Sequence, residues 1–367
     1  SDEMDLLISS VNSLDLGWKA DTCKYQKTHP LYGKECQKVS LAQVSDEENL
    51  LDTSTENTSQ AEFGNTANPK FASALSKAQK WQKKFSNAQD IKDEDIPESY
   101  DFRSIDGFDF TSKHRDQSRC GSCYTISFTQ VMEARLKLRY GKQPPIISPQ
   151  MLMACNYMNE GCDGGWPHFN VFLAENGHVV SEKCSPYKVS TKGDSCKNHE
   201  NCPPIAKVEK SYFVGGGWGA TTEKKMMKEL LRNGPMNGDF QAPSMFSIYK
   251  EGIFSEKGLV HLKKRGQEAL FQDQMEEDLE FVQLEKEGIS DKTLNDKGIA
   301  WMNMNHSVVI VGWGKDEKTD TKYWIVRNSY GPKWGMKGDF LVKRGNNDFG
   351  MEVEQIAFNP VMCSEES

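Results

Sequence analysis

Cysteine is concentrated in one stretch of this chain, and that concentration limits the folds the chain can adopt. The sequence contains ten cysteines, and seven of them lie between Cys120 and Cys202. Such a cluster is typical either of zinc ligation or of a disulfide framework. Zinc sites usually contain paired C-x₂₋₄-C units, and Cys120-Gly-Ser-Cys123 is the only pair of that kind here. The spacing therefore favours disulfides and predicts an oxidising compartment, either secretory or lysosomal.

Length, charge and hydropathy exclude several classes of function. The 367 residues exceed the usual size of one domain, so two or more structural units are expected. A formal net charge of −8 argues against binding to a nucleic-acid backbone. No apolar run approaches the roughly 20 residues of a membrane span, and residues 1–5 show no features of a signal peptide. The sequon at residues 57–59 agrees with a glycoprotein of the secretory route.

The first 95 residues differ in composition from the rest of the chain. Residues 1–22 form a short amphipathic segment, and the acidic, Ser/Thr/Asn-rich residues 45–67 are typical of a surface linker. A helix is predicted over residues 69–87, with an apolar face that contains Phe71, Leu75, Ala78, Trp81 and Phe85. An acidic stretch then leads to Ile96, where we expect a domain boundary and an accessible cleavage site.

Beyond residue 96 the pattern is that of a packed α+β domain. A helix is predicted from about residue 122 to residue 141, and buried strands are predicted at 308–311 and 323–326. Helical signals dominate the first half of this region and strand signals the second. Residues 256–303 interrupt the order with a charged, amphipathic helical pattern. We interpret them as a surface insertion, with a docking or regulatory element as the alternative.

Four residues have the chemistry of a thiol-dependent acyl-transfer site. Cys123 stands at the start of a predicted helix, whose N-terminal field favours the nucleophilic thiolate. His306 opens an apolar strand and could accept the thiol proton, although alone it would be read as a buried structural histidine. Asn328, in a turn after the next strand, can hold the imidazole in one tautomer and supports the catalytic interpretation. Gln117 can donate its side-chain amide to an oxyanion, alongside the backbone N–H of Cys123.

These residues lie in motifs that resemble the papain family of cysteine peptidases. Residues 116–124, Asp-Gln-Ser-Arg-Cys-Gly-Ser-Cys-Tyr, resemble the nucleophile motif of papain and the cathepsins. Further motifs follow in the family's order: Asn-His-Ser-Val at 305–308, Tyr-Trp-Ile-Val-Arg-Asn-Ser at 323–329, and Trp334-Gly335. The resemblance spans residues 96–362. It implies a papain-like two-lobe fold, with a helical lobe, a β-barrel-like lobe and the cleft between them.

Within the family the chain resembles the cathepsin C branch, the dipeptidyl peptidases. Tyr124, directly after the nucleophile, fits that branch, as do the runs at 161–167, 184–187 and 211–216. The family's disulfide pattern carries over to three pairs, Cys120–Cys162, Cys155–Cys196 and Cys184–Cys202. That pattern leaves Cys123 as the free thiol of the cluster.

The resemblance also assigns the N-terminal part of the chain. Residues 1–22 resemble the end of cathepsin C's exclusion domain, and residues 23–95, in which Cys23 and Cys36 can pair, correspond to its propeptide. In the family the exclusion domain blocks one end of the cleft and binds the substrate's free amine, which restricts cleavage to dipeptides. The rest of that domain either precedes this chain in a precursor or is a separate chain, and a homo-oligomer is a further expected partner.

Five residues are assigned to substrate binding by the same resemblance. The backbone of Gly164 and Gly165 should pair with an extended peptide, and Met351 should line the pocket for the penultimate side chain. Trp334 should lie on the leaving-group side. Tyr330 stands where the family usually has a Trp that shields the His–Asn hydrogen bond, so a weaker shield is expected.

The sequence predicts a thiol protease that removes N-terminal dipeptides through a thioester on Cys123. Its expected partners are peptide or protein substrates, in a lysosome or vacuole or outside the cell. Phe213 replaces a tyrosine that helps to hold chloride in cathepsin C, which argues against a chloride site, and no other cofactor or metal is expected. The alternatives are an open-cleft endopeptidase, a catalytically silent papain-fold subunit and a zymogen.

Overall fold

The computed structural model describes residues 12, 17–20, 68–216, 220–256, 304–353 and 355–363. Several predictions lie outside these residues: the Cys23–Cys36 pair, the linker at 45–67 with its sequon, and all of the 256–303 insertion except Glu256. Most of the segment 1–22 is also outside them.

Two short helices precede residue 96. Helix α1 (Pro69–Ala78) begins after Asn68, whose side chain accepts a hydrogen bond from the Lys70 N–H at 3.0 Å. Gln79, with φ of −88° and ψ of 1°, ends α1, and α2 (Lys80–Lys84) follows. The predicted helix over 69–87 is therefore two helices, which end three residues early. Its apolar face is confirmed, because Phe71 and its neighbours along that face are buried or half-buried.

The helical lobe is organised around one long buried helix, α3 (Cys123–Tyr140). It ends at Gly141, whose φ of +64° is the left-handed conformation that favours glycine at a helix end, as predicted. Helices α4 (Pro149–Cys155) and α5 (Pro167–Asn176) pack beside it. Three disulfides cross-link this lobe, and they are the predicted pairs: Cys120–Cys162, Cys155–Cys196 and Cys184–Cys202.

The second lobe contains a seven-stranded sheet. Its strands lie in the order β1 (Trp18–Ala20), β6 (Tyr249–Phe254), β9 (Asp339–Lys343), β8 (Lys322–Arg327), β7 (His306–Lys315) and β2 (Tyr100–Asp101). Strand β5 (Met236–Phe240), which follows helix α6 (Glu223–Asn233), also pairs with β7. All pairings are antiparallel except the one between β6 and β9. The two predicted strands are confirmed as parts of β7 and β8.

A smaller sheet joins the lobes. It has the order β10 (Ile356–Met362), β4 (Pro204–Phe213) and β3 (Val179–Val180), and both pairings are antiparallel. Helix α3 packs against β10 and β7, so the long helix contacts both sheets. The architecture is the predicted α+β class with a helical lobe and a sheet lobe. Among the described helices, none is both long and apolar enough to cross a bilayer.

Aromatic side chains fill the core of the sheet lobe. The Phe246 ring lies 4.7 Å from that of Phe340 and 4.9 Å from that of Trp334. The core extends to α1, where the Phe71 ring lies 5.4 Å from that of Phe108 and 6.2 Å from that of Phe110. The described end of the predicted propeptide is therefore packed into the core of the sheet lobe.

Candidate active site

The loop before α3 is tied to both lobes, which fixes the position of Cys123. The Gln117 N–H donates to the Ser329 carbonyl at 2.8 Å, and the Gly121 N–H donates to the Cys162 carbonyl at 2.8 Å. Glycine is needed at 121, because a Cβ there would lie 2.6 Å from the Cys162 carbonyl oxygen. Cys123 is therefore held as the first residue of α3, with a thiol that is outside any disulfide.

The surroundings of the Cys123 thiol act on its ionisation in opposite directions. Burial raises the pKa of Cys123 to about 11, and the negative charge of Asp239 acts in the same direction. Backbone hydrogen bonds from Ser307, Tyr124 and Cys123 itself favour the thiolate. The last two come from the start of α3, where the helix field stabilises an anion. A cation or a proton acceptor beside the thiol is still needed, and His306 lines the same cavity.

His306 begins β7 and is oriented by Asn328. Its Nε2 lies 2.8 Å from Oδ1 of Asn328, and both side chains are buried. Because an amide oxygen only accepts hydrogen bonds, this contact assigns the proton to Nε2 and makes Nδ1 the acceptor nitrogen. Three rings surround the imidazole, those of Tyr330 at 5.1 Å, Phe240 at 5.7 Å and Phe246 at 6.0 Å. The imidazole is thus held in the tautomer that can take a proton from a thiol.

Both ends of the Gln117 side-chain amide make hydrogen bonds. Its Oε1 accepts from the Ser329 hydroxyl at 2.6 Å, and its Nε2 donates to the Cys120 carbonyl at 3.1 Å. Ser329 follows Asn328, so the turn that orients the imidazole also holds the amide. Gln117 is buried and contributes to the lining of the same cavity as Cys123.

One cavity of about 510 Å³ brings together six of the predicted site residues: Gln117, Cys123, Gly164, Gly165, His306 and Tyr330. Two of them leave one wall without side chains. Gly164 has a φ of +124°, and a Cβ at Gly165 would lie 2.4 Å from Oδ1 of Asn159. The Asn159 side chain also accepts a hydrogen bond from the Trp166 N–H at 2.7 Å, which fixes the loop. The arrangement leaves a stretch of backbone facing the cavity.

Three predicted site residues lie behind the cavity rather than on its described lining. Asn328 is buried behind His306 and contacts its imidazole. Trp334 is buried, donates from Nε1 to the Ser247 carbonyl at 2.8 Å and packs against the Tyr330 ring at 5.4 Å. Met351 is also fully buried, below β5. Direct substrate contact by Trp334 and Met351 stays a prediction.

Sequence reasoning missed Asp239, which lines the cavity from β5. The strand register places it opposite Ser307, the residue after His306. The sequence around Asp239 does not predict a strand, because its neighbours Gly238 and Asn237 do not form an alternating apolar pattern. Only the pairing of β5 with β7, which joins segments about 70 residues apart, reveals its position.

Metal binding has no candidate within the described part of the chain. There, no group of three or more His, Cys, Asp or Glu side chains is arranged to hold a metal ion. Phe213 lies on β4 with 37% of its surface exposed. Its effect on chloride stays a prediction.

Comparison with known proteins gives consistent results. A family model described as papain family cysteine protease matches residues 96–270 and 273–359. The chain is 32% identical over 251 residues to cathepsin C of Schistosoma mansoni, which covers 68% of this chain and 48% of that protein. It is 24% identical over 311 residues to dipeptidyl aminopeptidase 1 of Plasmodium falciparum, covering 67% and 41%. The chain thus spans half or less of the length of these two relatives.

A solved structure with a similar fold is the proform of the ragweed pollen allergen Amb a 11, a cysteine protease. The TM-score is 0.58 at 20% identity, and the match covers 99% of this chain and 87% of that one. Similarity at this level of identity concerns the fold, and it agrees with the two lobes described above.

Proposed function

The chain belongs to the papain family of cysteine proteases, and we propose that it removes dipeptides from the free N-termini of peptides or proteins. The observation that carries the peptidase chemistry is the 2.8 Å contact between His306 and Asn328 in a cavity that also contains Cys123. The finer dipeptidyl specificity is supported by similarity to cathepsin C and to a protein named dipeptidyl aminopeptidase.

In the proposed mechanism His306 transfers the protons and Cys123 forms the covalent bond to the substrate. His306 takes the proton of Cys123 at Nδ1, and the thiolate attacks the scissile carbonyl carbon to form a tetrahedral oxyanion. The amide of Gln117 and the backbone N–H of Cys123 are the proposed donors to that oxyanion. His306 then gives its proton to the leaving amine, and a thioester remains on Cys123. Water, deprotonated by His306, hydrolyses the thioester and regenerates the thiol.

The remaining roles follow from the same proposal. Asn328 keeps the imidazole oriented throughout, and Tyr330 shields that contact from water with its ring 5.1 Å from the imidazole. The backbone at Gly164 and Gly165 pairs with an extended substrate, for which the bare wall leaves room. Trp334 and Met351 support the leaving-group side and the penultimate pocket from behind the lining.

Restriction to dipeptides requires something that closes one end of the cleft. We propose an exclusion element supplied by another part of a longer precursor, by a separate chain or by a second copy of this chain. A lysosomal, vacuolar or extracellular site of action agrees with the three disulfides. An open-cleft endopeptidase is the second candidate, because none of the described residues before 96 lines the cavity.

Two reporters test this proposal, a dipeptide fluorogenic amide with a free α-amine and its N-acetylated twin. Both are assayed at mildly acidic pH under reducing conditions, with Cys123→Ala as the blank. Hydrolysis of the free-amine reporter alone is the expected result. Hydrolysis of the acetylated reporter at a similar rate identifies an endopeptidase. No hydrolysis of either reporter contradicts the proposed activity of the chain in this form.

A further inference from the structure

The wall of the cavity contains a carboxylate whose position is set by two strands. Asp239 is the fourth residue of β5 and lies opposite Ser307 of β7, one residue beyond His306. Its backbone is fixed by Gln355, whose Oε1 accepts from the Asp239 N–H at 3.2 Å and whose Nε2 donates to the Asp239 carbonyl at 3.2 Å. The side chain is half-buried and contributes to the cavity lining. The carboxylate therefore has a fixed place beside the catalytic pair.

This carboxylate has no cationic partner among the described residues. Its Oδ1 is buried and makes no hydrogen bond within the described residues, and no salt bridge joins Asp239 to a described lysine or arginine. The Ser307 hydroxyl favours the charged form of Asp239 by hydrogen bonding, but it carries no charge and is also hydrogen-bonded to the Ser127 hydroxyl at 2.8 Å. A carboxylate withdrawn from water without a cation is unfavourable unless it binds a proton or an external positive group.

The site of the carboxylate indicates where that positive group comes from. Asp239 shares its cavity with Cys123 and with the glycine wall at Gly164, which in the proposed function pairs with the extended substrate. We propose that Asp239 is a specificity-determining residue that accepts an ammonium or guanidinium group from the acyl part of the substrate. The inference rests on the proposed peptidase function. It adds that the preferred substrate carries a positive charge.

Binding of a cation would also act on the nucleophile. The titratable groups around Asp239 are Cys123 at the start of α3, His306 on β7 and Asp163 on the loop across the cavity. The negative charge of Asp239 raises the pKa of Cys123. A substrate cation that neutralises this charge removes that unfavourable effect, so it should increase kcat as well as lower KM.

A crossed set of four dipeptide reporters provides the kinetic test. The N-terminal residue is either lysine or norleucine, and its α-amine is either free or acetylated. The wild-type chain should prefer one cationic member over the neutral acetyl-norleucine reporter by about 10- to 100-fold in kcat/KM, as expected for a hydrogen bond between charged groups. A preference carried by the lysine side chain indicates side-chain recognition. A preference carried by the α-amine means that Asp239 binds the free N-terminus of the substrate.

Two matched variants decide whether Asp239 is responsible. Asp239→Asn keeps the shape and removes the charge, and it should abolish the preference. Asp163→Asn removes an exposed charge from the same cavity and should retain it. The inference is overturned if Asp239→Asn keeps the preference, or if Asp163→Asn loses it to the same extent.

Binding to the inactive Cys123→Ala variant gives a readout that does not depend on turnover. Calorimetry with the four corresponding dipeptide amides at pH 7.5 should show that the amide with the recognised cation binds about 10-fold more tightly than the acetyl-norleucine amide. Asp239→Asn should remove that difference. At pH 5 the difference should shrink, because burial raises the pKa of Asp239 to about 6. Equal binding of all four amides at pH 7.5 contradicts the inference even if the peptidase is active, whereas absent hydrolysis with selective binding contradicts only the proposed function.

Discussion

The two lobes hold the same active site by different physical means. The helical lobe has three disulfides between residues 120 and 202, and it contributes the Cys123 thiol at the start of α3 and the bare wall at Gly164. The sheet lobe has no disulfide among its described residues, and it contributes ionisable and polar side chains such as His306 and Asp239. Disulfides restrict the loops of the helical lobe, whereas aromatic packing holds the side chains of the sheet lobe in place.

Near the nucleophile, hydrogen bonds of Gln117 join the two lobes. Gln117 makes both a backbone and a side-chain hydrogen bond to Ser329, which follows the imidazole-orienting Asn328. A substitution in either lobe should therefore alter the positions of groups in the other lobe through the hydrogen bonds between Gln117 and Ser329. The comparison predicts that changes in the aromatic core of the sheet lobe mainly lower stability, and that changes at the Gln117–Ser329 junction mainly lower catalytic rate.

The largest expected effect on stability is that of Phe71→Ala. The side chain is fully buried in the core of the sheet lobe, so its removal should cost about 3–5 kcal/mol in the free energy of unfolding, measured by urea denaturation. Phe172→Ala in α5 is the matched control, because that ring is 55% exposed and should change stability by about 0.5 kcal/mol or less. A loss for Phe71→Ala as small as that for Phe172→Ala would mean that α1 is not part of the sheet-lobe core.

Removal of a disulfide should have the next largest effect on stability. Of the bonds Cys155–Cys196 and Cys184–Cys202, the one that closes the longer loop should contribute more. In the chain-entropy model Cys155→Ser/Cys196→Ser, which opens a loop of 41 residues, should cost about 4 kcal/mol, and Cys184→Ser/Cys202→Ser, with 18, about 3 kcal/mol. Denaturation of each double variant under non-reducing conditions measures the loss. Losses near zero would show that packing, not cross-linking, holds the helical lobe.

Loss of the proposed oxyanion donor should act on rate rather than on binding. Gln117→Ala should lower kcat by about 10²–10³-fold with little change in KM, because the amide is proposed to act on the transition state. Ser329→Ala keeps the amide and removes only its 2.6 Å hydrogen bond, so its effect on kcat should be smaller. An increase in KM with unchanged kcat would assign Gln117 to ground-state binding instead.

The smallest expected effect is the pH dependence of stability that Asp239 causes. Burial raises the pKa of Asp239 to about 6, above the usual value near 4 in the unfolded chain. The folded state then binds more protons than the unfolded state between these values, so this group lowers stability as pH rises from about 4 to 6. Asp239→Asn should flatten that part of the stability profile and raise Tm slightly at pH 7. Overlapping wild-type and variant profiles would contradict the burial of this carboxylate.

Local sequence signals predicted the elements that depend on neighbouring residues. The α3 boundaries follow from Gly141 at its end and from the start at Cys123, and the apolar runs of β7 and β8 were visible as strands. The end of α1 at Gln79 was not predictable, because no glycine or proline marks it. The disulfide pairing came from the family resemblance rather than from spacing.

The site itself was predictable only as far as sequence motifs extend. Cys123, His306 and Gln117 belong to runs that identify the family, and the structure places all three on one cavity. Asp239 depends on the register between β5 and β7, which no local pattern encodes. The burial of Met351 likewise depends on how β5 packs over it, so its place behind the lining could not be read from the sequence.

The central claim is that Cys123 and His306, one from each lobe, form a single reactive pair. The most direct measurement is the rate of Cys123 alkylation by iodoacetamide as a function of pH, read by mass spectrometry of the peptide that contains Cys123. Wild type should react at pH 6 at least about 10-fold faster than His306→Ala, because the imidazolium supports a thiolate well below the pKa of a buried thiol. Cys363, the other free thiol among the described residues, should react equally in both proteins. Identical pH profiles for Cys123 in wild type and His306→Ala would contradict the account.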